Sequence, residues 1–278
     1  MTNFVTGDKQ RLIARRSNGI RREIVDLKLR GKAALVNGAS QGIGFAIAHA
    51  LASEGAELLI SARKEDALKK AAEQIEADTG QKVRTVVGDI RMLDSCNTIL
   101  TAMREWGGVD ILVNNDGAPP LGKALDFDDL RWSRAFEQNL MSVVRMTRGV
   151  VPFMEERGGG SVVNITALSA IQPIENFGLS VATWAGVVGL AKTLSLELGP
   201  KNIRINTLCP GLIETGRLDL ADGPSAAEYQ EVVKMIPLGR RGDAAEIAAV
   251  ATFLSSPLAS YVTGTTLAVD GGMNKSIL

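Results

Sequence analysis

The sequence has few residues that carry metal, redox or nucleophilic chemistry. Its 278 residues include two cysteines and one histidine. Cys96 and Cys209 stand far apart and outside any Cys-x-x-Cys pattern, so neither a disulfide framework nor a zinc site is indicated, and a reducing cytoplasm fits best. With His49 as the single histidine, a Ser-His-Asp hydrolase and a histidine-bound metal are both disfavoured. We expect no metal site.

The chain also lacks net charge and long apolar runs. Lys+Arg and Asp+Glu number 31 each, so no overall field favours a polyanion. No apolar stretch is expected to approach the roughly 20 residues of a membrane span, and the N-terminal region has no uninterrupted apolar core typical of a secretory signal. We therefore expect no nucleic-acid partner and no membrane partner.

A locally basic segment precedes the first predicted strand. Between Lys9 and Lys28, arginine and lysine outnumber the two acids, and Gly19 interrupts a weak apolar helical face. We interpret residues 1–28 as an N-terminal arm, either a surface arm or a subunit contact. Disorder, targeting and an anionic partner are the alternatives. Residues 29–278 are predicted to form one domain.

From Lys32 onward, short apolar runs alternate with helical patterns. Apolar rather than alternating runs are typical of parallel strands that helices cover on both faces. The pattern predicts a single α/β domain with a doubly wound, seven-stranded parallel sheet. Strands are predicted at Ala33–Val36, Glu57–Ser61, Val83–Val87, Ile111–Val113, Ser161–Ile165, Ile203–Leu208 and Thr265–Val269, and helices at 42–54, 65–78, 93–106, 126–156, 178–199 and 243–256.

The stretch 219–236 differs from the rest of the pattern. It begins with Ala-Asp-Gly-Pro around Asp222 and continues as a short helical segment after Ser225. Such an insertion is expected over the carboxyl ends of the strands, where ligands bind in open α/β sheets. We interpret it as a substrate lid, with an idle loop as the alternative.

A glycine-rich turn directly follows the first predicted strand. Residues 37–44 read Asn-Gly-Ala-Ser-Gln-Gly-Ile-Gly, and a predicted helix comes next. Glycines let backbone N–H groups and the helix N-terminus approach a pyrophosphate, and the second strand ends about 20 residues later, as this kind of site requires. The pattern predicts a dinucleotide site contacted by Gly38, Ser40, Gln41, Gly42, Ile43 and Gly44.

The spacing Gly-x-x-x-Gly-x-Gly resembles that of the short-chain dehydrogenase/reductase family. Further segments carry this resemblance from Leu29 to Met273, among them Asn-Asn-Asp-Gly at 114–117, similar to the family's Asn-Asn-Ala-Gly, and Asp-Gly-Gly at 270–272. The resemblance implies a Rossmann-like fold that forms homo-oligomers, dimers or tetramers, through the helices at 126–156 and 178–199. It also implies cofactor contacts by Asp89, Ile90, Asn115, Gly117, Pro210, Gly211, Ile213 and Thr215.

The end of the second strand bears on the choice of cofactor. Members of the family that prefer NAD carry an acid there, whereas this chain has Ala62 followed by Arg63. A guanidinium pairs well with a 2′-phosphate. The sequence therefore favours NADP(H) over NAD(H), with a solvated loop cation as the alternative for Arg63.

The catalytic residues of the family are mostly absent. Alignment on residues 189–198 without a gap puts Ser180 at the tyrosine position, Trp184 at the lysine position and Ala167 at the serine position, and only Asn139 is retained. An alkyl hydroxyl is a far weaker acid than a phenol, and tryptophan offers one N–H donor and no charge. The resemblance therefore implies an atypical active site.

Several other side chains could replace the missing catalytic groups. Hydroxyls at Thr166, Ser169, Ser180 and Thr183 are most simply packing or capping groups, as is Tyr261, whereas Tyr229 on the predicted lid could reach the site as a proton donor. Asp116 stands where the family has alanine and could place a carboxylate near the cofactor, although a surface or capping acid is the simpler reading.

Apolar residues surround the expected reaction centre. Phe177, Leu179, Ala167 and Trp184 favour an apolar or aromatic small-molecule substrate. The opposite reading is that Trp184 fills space left by an unused nicotinamide.

Two classes of function follow from these patterns. The first is an NADP(H)-binding oxidoreductase that acts on a carbonyl or alcohol with an atypical proton donor. The alternative is a catalytically inactive cofactor-binding or assembly subunit, which could pair with an active paralogue, or a non-redox enzyme that catalyses elimination, isomerisation or bond cleavage on the same fold.

Overall fold

The structure, a computed structural model, describes residues 25–215 and 231–276. All seven predicted strands are confirmed, each within two residues at either end. Together with two further short strands, the described residues contain nine strands. They are β1 (Ala33–Asn37), β2 (Glu57–Ala62), β3 (Val83–Val87), β4 (Ile111–Asn114), β5 (Gly160–Ile165), β6 (Ile203–Pro210), β7 (Ile213–Glu214), β8 (Gly242–Asp243) and β9 (Thr266–Val269).

Seven of these strands form one parallel sheet in the order β3-β2-β1-β4-β5-β6-β9. The short strands β7 and β8, which no sequence pattern predicts, pair with each other in parallel. The order of the main sheet reverses between β1 and β4. In such sheets ligands bind outside the carboxyl ends of the strands at the reversal.

Helices follow the strands much as predicted. They are α1 (Gly42–Ser53), α2 (Glu65–Thr79), α3 (Leu93–Trp106), α4 (Asp129–Phe136), α5 (Ser142–Glu156), α6 (Gly178–Leu198) and α7 (Ala244–Ser255). The prediction of one continuous helix across 126–156 is wrong in detail, because a π-helical turn at Glu137–Met141 separates α4 from α5. Single π turns inside helices often mark functional positions, and this one contains Asn139.

Two apolar layers lie on opposite faces of the sheet. Val36 of β1 packs with residues of α1 and α7, whereas its neighbour Leu35 packs with residues of α3 and α5. Adjacent residues of a strand point to opposite faces, so both must be apolar when helices cover the sheet on each side. This arrangement confirms the doubly wound, Rossmann-like α/β domain.

Helix α6 is apolar along most of its length. The stretch Gly178–Lys201 is long and apolar enough to cross a membrane by length and composition, so the expectation that no stretch approaches a span was wrong. Its buried residues, including Leu179, Val187 and Ala191, lie inside the protein, where the helix packs against β6. Burial within the fold accounts for its composition.

Two sequence-based predictions fall largely outside the described residues. Only the last four residues of the predicted N-terminal arm, 25–28, and residues 231–236 of the predicted lid are described. Tyr229, the candidate donor on that lid, lies outside them.

Candidate active site

The turn after β1 is tightly interlocked with the segment after β4. Gly38 has a φ of 63°, and a Cβ added there would lie 2.6 Å from the backbone oxygen of Asn115. A Cβ on Gly44 would collide with the Gly38 oxygen and with Asn115 Nδ2. Asn115 Nδ2 in turn donates to the backbone oxygens of Asn37 and Gly38, at 3.3 and 3.1 Å. The glycines are therefore required by close backbone approach.

Helix α1 begins within this turn. Its N-cap, Gln41, is exposed, and its side chain makes no capping hydrogen bond. The first turn of an α-helix has free N–H groups that bind anions well. Ser40, Gly42 and Ile43 lie partly exposed beside it. This geometry fits the pyrophosphate of a dinucleotide.

The predicted segment 210–215 closes the other side of the turn. A Cβ on Gly42 would lie 3.6 Å from Thr215 Cγ2, and a Cβ on Gly211 would lie 2.7 Å from Asp270 Cα. The buried Ile213 belongs to β7, which its pairing with β8 holds in place. Pro210 ends β6 and is buried. These residues therefore line the same cleft as the glycine turn.

One arginine follows β2 and another follows β3, and only the second is ion-paired with a described residue. Arg91 donates from Nε to both carboxylate oxygens of Asp89, at 2.9 and 3.0 Å, which holds the pKa of Asp89 below its usual range. Arg63, at the end of β2, is exposed and makes no hydrogen bond or ion pair with the described residues. Its guanidinium remains available to a ligand. Ile90 is 7 % exposed, so its side chain offers little surface to adenine.

Asp116 is enclosed more deeply than a surface or capping acid. The residue is half-buried, and its Oδ2 is buried without a hydrogen-bond partner among the described residues. Burial is the main cause that raises the pKa of Asp116 to about 6, against smaller opposing effects of the Gly117 N–H, Arg63 and Arg91. The reading of Asp116 as a simple surface acid is therefore wrong.

Asn139 is held by a threonine of α6. Its Nδ2 donates to Thr183 Oγ1 at 2.8 Å, and that hydroxyl donates to the Leu179 oxygen at 2.7 Å. Both side chains are buried, and Asn139 Oδ1 has no partner among the described residues. The amide retained from the family pattern thus contacts α6 one turn after the tyrosine position.

The tyrosine position itself is sealed. Ser180 is 1 % exposed, and its Oγ has no hydrogen-bond partner in the described part of the chain. No titratable side chain replaces the phenol at this position. A hydroxyl with this burial has neither the acidity nor the access that a general acid needs.

Trp184 and Ala167 lie in a small apolar cluster. Trp184 is 7 % exposed and packs with Val143 and Val187, with Ala167 and Leu140 at the edge. The lysine that the family places at 184 would hold a charge there, whereas this cluster is apolar. The indole therefore packs as a core residue, and no cation takes the place of the lysine at that position.

The remaining candidates have structural contacts of their own. Thr166 Oγ1 donates to the Leu208 oxygen at 2.9 Å, and His49 pairs with Asp78 at 3.2 Å. Tyr261 is an exception: its side chain is fully exposed, so the prediction that it is a structural residue is wrong. Among the described residues no cluster of histidine, cysteine or acidic side chains could hold a metal. Cys96 and Cys209 are free and buried, and burial raises the pKa of each thiol.

Two contacts at the site were not predicted from the sequence. Gln138 Nε2 donates to the Gly117 oxygen, and the backbone N–H of Gly122 donates to the Asn176 oxygen at 2.8 Å. The second contact pins the loop after β4 to the start of α6. The sequence pattern indicates neither contact, because it predicts a continuous helix where the π turn places Gln138.

Together these features define a dinucleotide-binding α/β protein with its site at the carboxyl edge of the sheet. A family model described as enoyl-(acyl carrier protein) reductase matches residues 38–274. The chain is 37 % identical over 245 residues to dehydrogenase/reductase SDR family member 4 of Oryctolagus cuniculus, covering 88 % of this chain and 94 % of that one. The chain belongs to the short-chain dehydrogenase/reductase family of oxidoreductases.

Solved structures agree with this assignment. L-sorbose reductase from Gluconobacter frateurii, complexed with NADPH and L-sorbose, is 34 % identical with a TM-score of 0.87, covering 91 % of this chain and all of that one. A 7α-hydroxysteroid dehydrogenase complexed with NADH and 7-oxo glycochenodeoxycholic acid is 33 % identical with a TM-score of 0.85, covering 91 % and 98 %. The family thus includes similar structures with either nicotinamide cofactor.

Proposed function

We propose that the protein is an NADP(H)-dependent oxidoreductase that acts on the carbonyl or alcohol of a small apolar molecule, with a proton donor other than the side chain at 180. The observation that carries this is the intact cofactor half of the site. Gly38 and Gly44 pack directly against Asn115 and the turn itself, where a Cβ would collide with protein atoms, and helix α1 begins at this turn without a side-chain capping hydrogen bond. The free N–H groups of its first turn suit the pyrophosphate of a dinucleotide.

The preference for NADP(H) rests on Arg63. The position that holds an acid in NAD-preferring members is Ala62, and the next side chain is a cation that makes no ion pair with the described residues. A free guanidinium at the end of β2 suits a 2′-phosphate. Because similar structures hold NADPH in one case and NADH in another, the preference depends on residues of this chain.

The bound cofactor would supply a hydride to the carbonyl carbon, while the carbonyl oxygen takes up a proton. Asn139, fixed by Thr183, is the retained polar group on the side of α6. Ser180 is buried, and Trp184 lies in an apolar cluster. We assign the proton to water that enters the site with the substrate. The alternative donor is Tyr229, and a Tyr229→Phe variant distinguishes the two, since only a tyrosine donor would lose activity.

The cofactor assignment is tested by titration with NADPH and NADH, monitored by tryptophan fluorescence. We expect Arg63→Ala to weaken NADPH binding at least about tenfold and to change NADH binding less than about twofold, because only NADPH carries the phosphate. Lys70→Ala is the matched control, since Lys70 is an exposed cation of the neighbouring helix α2. Equal losses for both nucleotides in Arg63→Ala would refute the assignment.

The missing general acid makes a prediction about activity. A positioned acid contributes about 10² to 10⁴ in rate. The triple variant Ala167→Ser, Ser180→Tyr, Trp184→Lys is expected to raise carbonyl reductase turnover at least about tenfold. It should also lower the melting temperature, because a phenol and a charge enter a packed cluster.

A stable variant that binds NADPH and shows no gain over a broad panel of carbonyl substrates would contradict the redox function. That result would favour the second candidate, a catalytically inactive cofactor-binding or assembly subunit. The burial of Ser180 and the packing of Trp184 are the observations that support this alternative.

We further propose that the protein forms a homo-oligomer and works in a reducing cytoplasm. The family resemblance supports a dimer or tetramer through α4, α5 and α6. Two buried free thiols support the compartment. Light scattering at two protein concentrations would test the oligomeric state.

A further inference from the structure

Asp116 belongs to the segment after β4 that packs against the glycine turn. It follows Asn115, whose amide bonds to the backbone of Asn37 and Gly38 hold this segment directly against the glycine turn. It also follows β4, the strand next to β1 where the order of the sheet reverses. The family motif Asn-Asn-Ala-Gly has a methyl group here, so this chain has placed a carboxylate beside the glycine turn.

One oxygen of the Asp116 carboxylate lacks a hydrogen-bond partner among the described residues. Its Oδ2 is buried and has no partner among the described residues, and the Gly117 N–H is the backbone group that bonds to the side chain. The other half-buried and buried acids at the sheet edges have donors: Asp89 has Arg91, and Asp110 has Arg157. Buried polar atoms are normally hydrogen-bonded, so a buried carboxylate oxygen without a partner beside the glycine turn calls for an explanation.

Charged groups face Asp116 from two strand ends. Arg63 at the end of β2 acts on it, and so do Asp89 and Arg91 in the segment after β3. Asp89 and Arg91 neutralise each other as an ion pair. Arg63 has no such partner in the described chain. The Asp116 carboxylate and the Arg63 guanidinium are therefore two opposite charges at this corner that attract each other at a distance without forming an ion pair.

We propose that Asp116 is a specificity-determining residue that weakens NADP(H) binding when it is ionised and permits it when it is protonated. The carboxylate repels the 2′-phosphate that Arg63 attracts. The hydroxyl of NAD(H) carries no charge and is not repelled. This inference rests on the proposed function, because it takes Arg63 as the phosphate ligand.

The consequence is a cofactor preference that depends on pH. With the pKa of Asp116 raised to about 6, the group is ionised above that pH and protonated below it. The repulsion is thus present in neutral and alkaline solution and is lost as the pH falls through about 6. The contribution of Asp116 against NADP(H) therefore disappears in acid.

The test compares wild type with Asp116→Asn, which has the shape of the protonated acid at every pH. The measured quantity is the ratio of the NADH and NADPH dissociation constants between pH 5 and pH 8.5. We expect this ratio to be about tenfold larger in Asp116→Asn than in wild type at pH 8. At pH 5 the two proteins should agree within about twofold, since both are then neutral at this position.

The comparison also removes a competing effect. The 2′-phosphate itself titrates with a second pKa of about 6, and Arg63 binds its dianion more tightly. At pH 8 the phosphate is a dianion in both proteins, so its titration does not enter the comparison of wild type with variant there. Asp116→Ala, the family's residue, serves as the second variant and should change the ratio in the same direction. Thermal unfolding of both variants checks that they are folded.

An unchanged ratio at pH 8 in both variants would overturn the inference while leaving the proposed function intact. A smaller ratio would also overturn it, because the carboxylate would then support the phosphate through Arg63. If wild type binds neither nucleotide, the proposed function itself fails, and this inference fails with it.

Discussion

Gly38 and Gly31 both have positive φ angles, 63° and 73°, but their surroundings differ. A Cβ on Gly38 meets the Asn115 backbone, whereas nothing lies within 4 Å of a Cβ on Gly31. Any other residue at position 38 would therefore suffer both backbone strain and a collision, whereas at position 31 it would suffer backbone strain alone. At the scale of the residue, Gly31 is required only by its backbone conformation, and Gly38 is required also by the packing of the site.

We expect Gly38→Ala to lower the free energy of unfolding by at least about 2 kcal/mol and to abolish measurable NADPH binding. Gly31→Ala should lower it by about 1 kcal/mol, from the left-handed backbone alone, and leave binding unchanged. Urea unfolding and fluorescence titration measure the two effects. Normal NADPH affinity in Gly38→Ala would show that the turn does not hold the cofactor.

The sequence predicts which side chains occupy the positions of the family's catalytic residues, but it does not predict how deeply those side chains are buried. Alignment alone located Ser180 at the tyrosine position. That its hydroxyl is sealed at 1 % exposure depends on packing between α6 and the turn at Leu168–Ala170, which no local pattern encodes. The enclosure of Asp116 likewise depends on three strand ends that meet only in the folded chain.

At the scale of elements, the short pair β7–β8 links the cofactor cleft to helix α7. Asp243 belongs to β8 and also caps α7, where it accepts from the Ala245 N–H at 2.8 Å. Glu246 completes a capping box and is held by Arg240, which lowers the pKa of Glu246 to about 2. The cap of one helix thus anchors residues 213 and 214 in the cleft.

Asp243→Ala is expected to destabilise the protein by about 1 kcal/mol, as loss of an N-cap usually does. Because β8 loosens, amide hydrogen exchange should accelerate in residues 212–215 and NADPH binding should weaken. Asp128→Ala removes the N-cap of α4, where Asp128 accepts from the Arg131 N–H at 2.8 Å, and is the control. Asp128→Ala should lower the free energy of unfolding by a similar amount and leave amide hydrogen exchange in residues 212–215 unchanged.

The elements that sequence reasoning missed share a physical reason. A π turn leaves the apolar pattern of the flanking helices nearly unchanged, so 126–156 reads as one helix. Strands β7 and β8 have two residues each, too few for a hydrophobic run. The long apolar strands were predicted correctly because burial on both faces leaves a strong signal.

At the scale of the whole molecule, the two edges of the sheet have different chemistry. The carboxyl edge holds the cleft, and the opposite edge holds Asp110, just before β4. Asp110 accepts from the Ala33 N–H at 2.9 Å and pairs with Arg157 at 2.8 Å and Lys32 at 3.2 Å. Burial would raise the pKa of Asp110, but these three donors together hold it below its usual value.

A depressed folded-state pKa stabilises the protein above the unfolded value, near 4, and this contribution disappears as the pH falls through the folded value. Asp110→Asn should therefore cost about 2 kcal/mol at pH 7, discounted for the partly exposed cations. The difference from wild type should shrink below about pH 4. Urea unfolding at several pH values measures this, and the NADPH affinity should stay within about twofold, since Asp110 lies at the far edge.

Asn115 holds the glycine turn through hydrogen bonds within the chain itself, to the Asn37 and Gly38 oxygens, so the shape of the turn is set when the chain folds. The backbone entropy of that turn is lost during folding and not during association. NADPH should consequently bind in one kinetic step at a rate that rises linearly with its concentration, without the plateau that a slow loop rearrangement would impose.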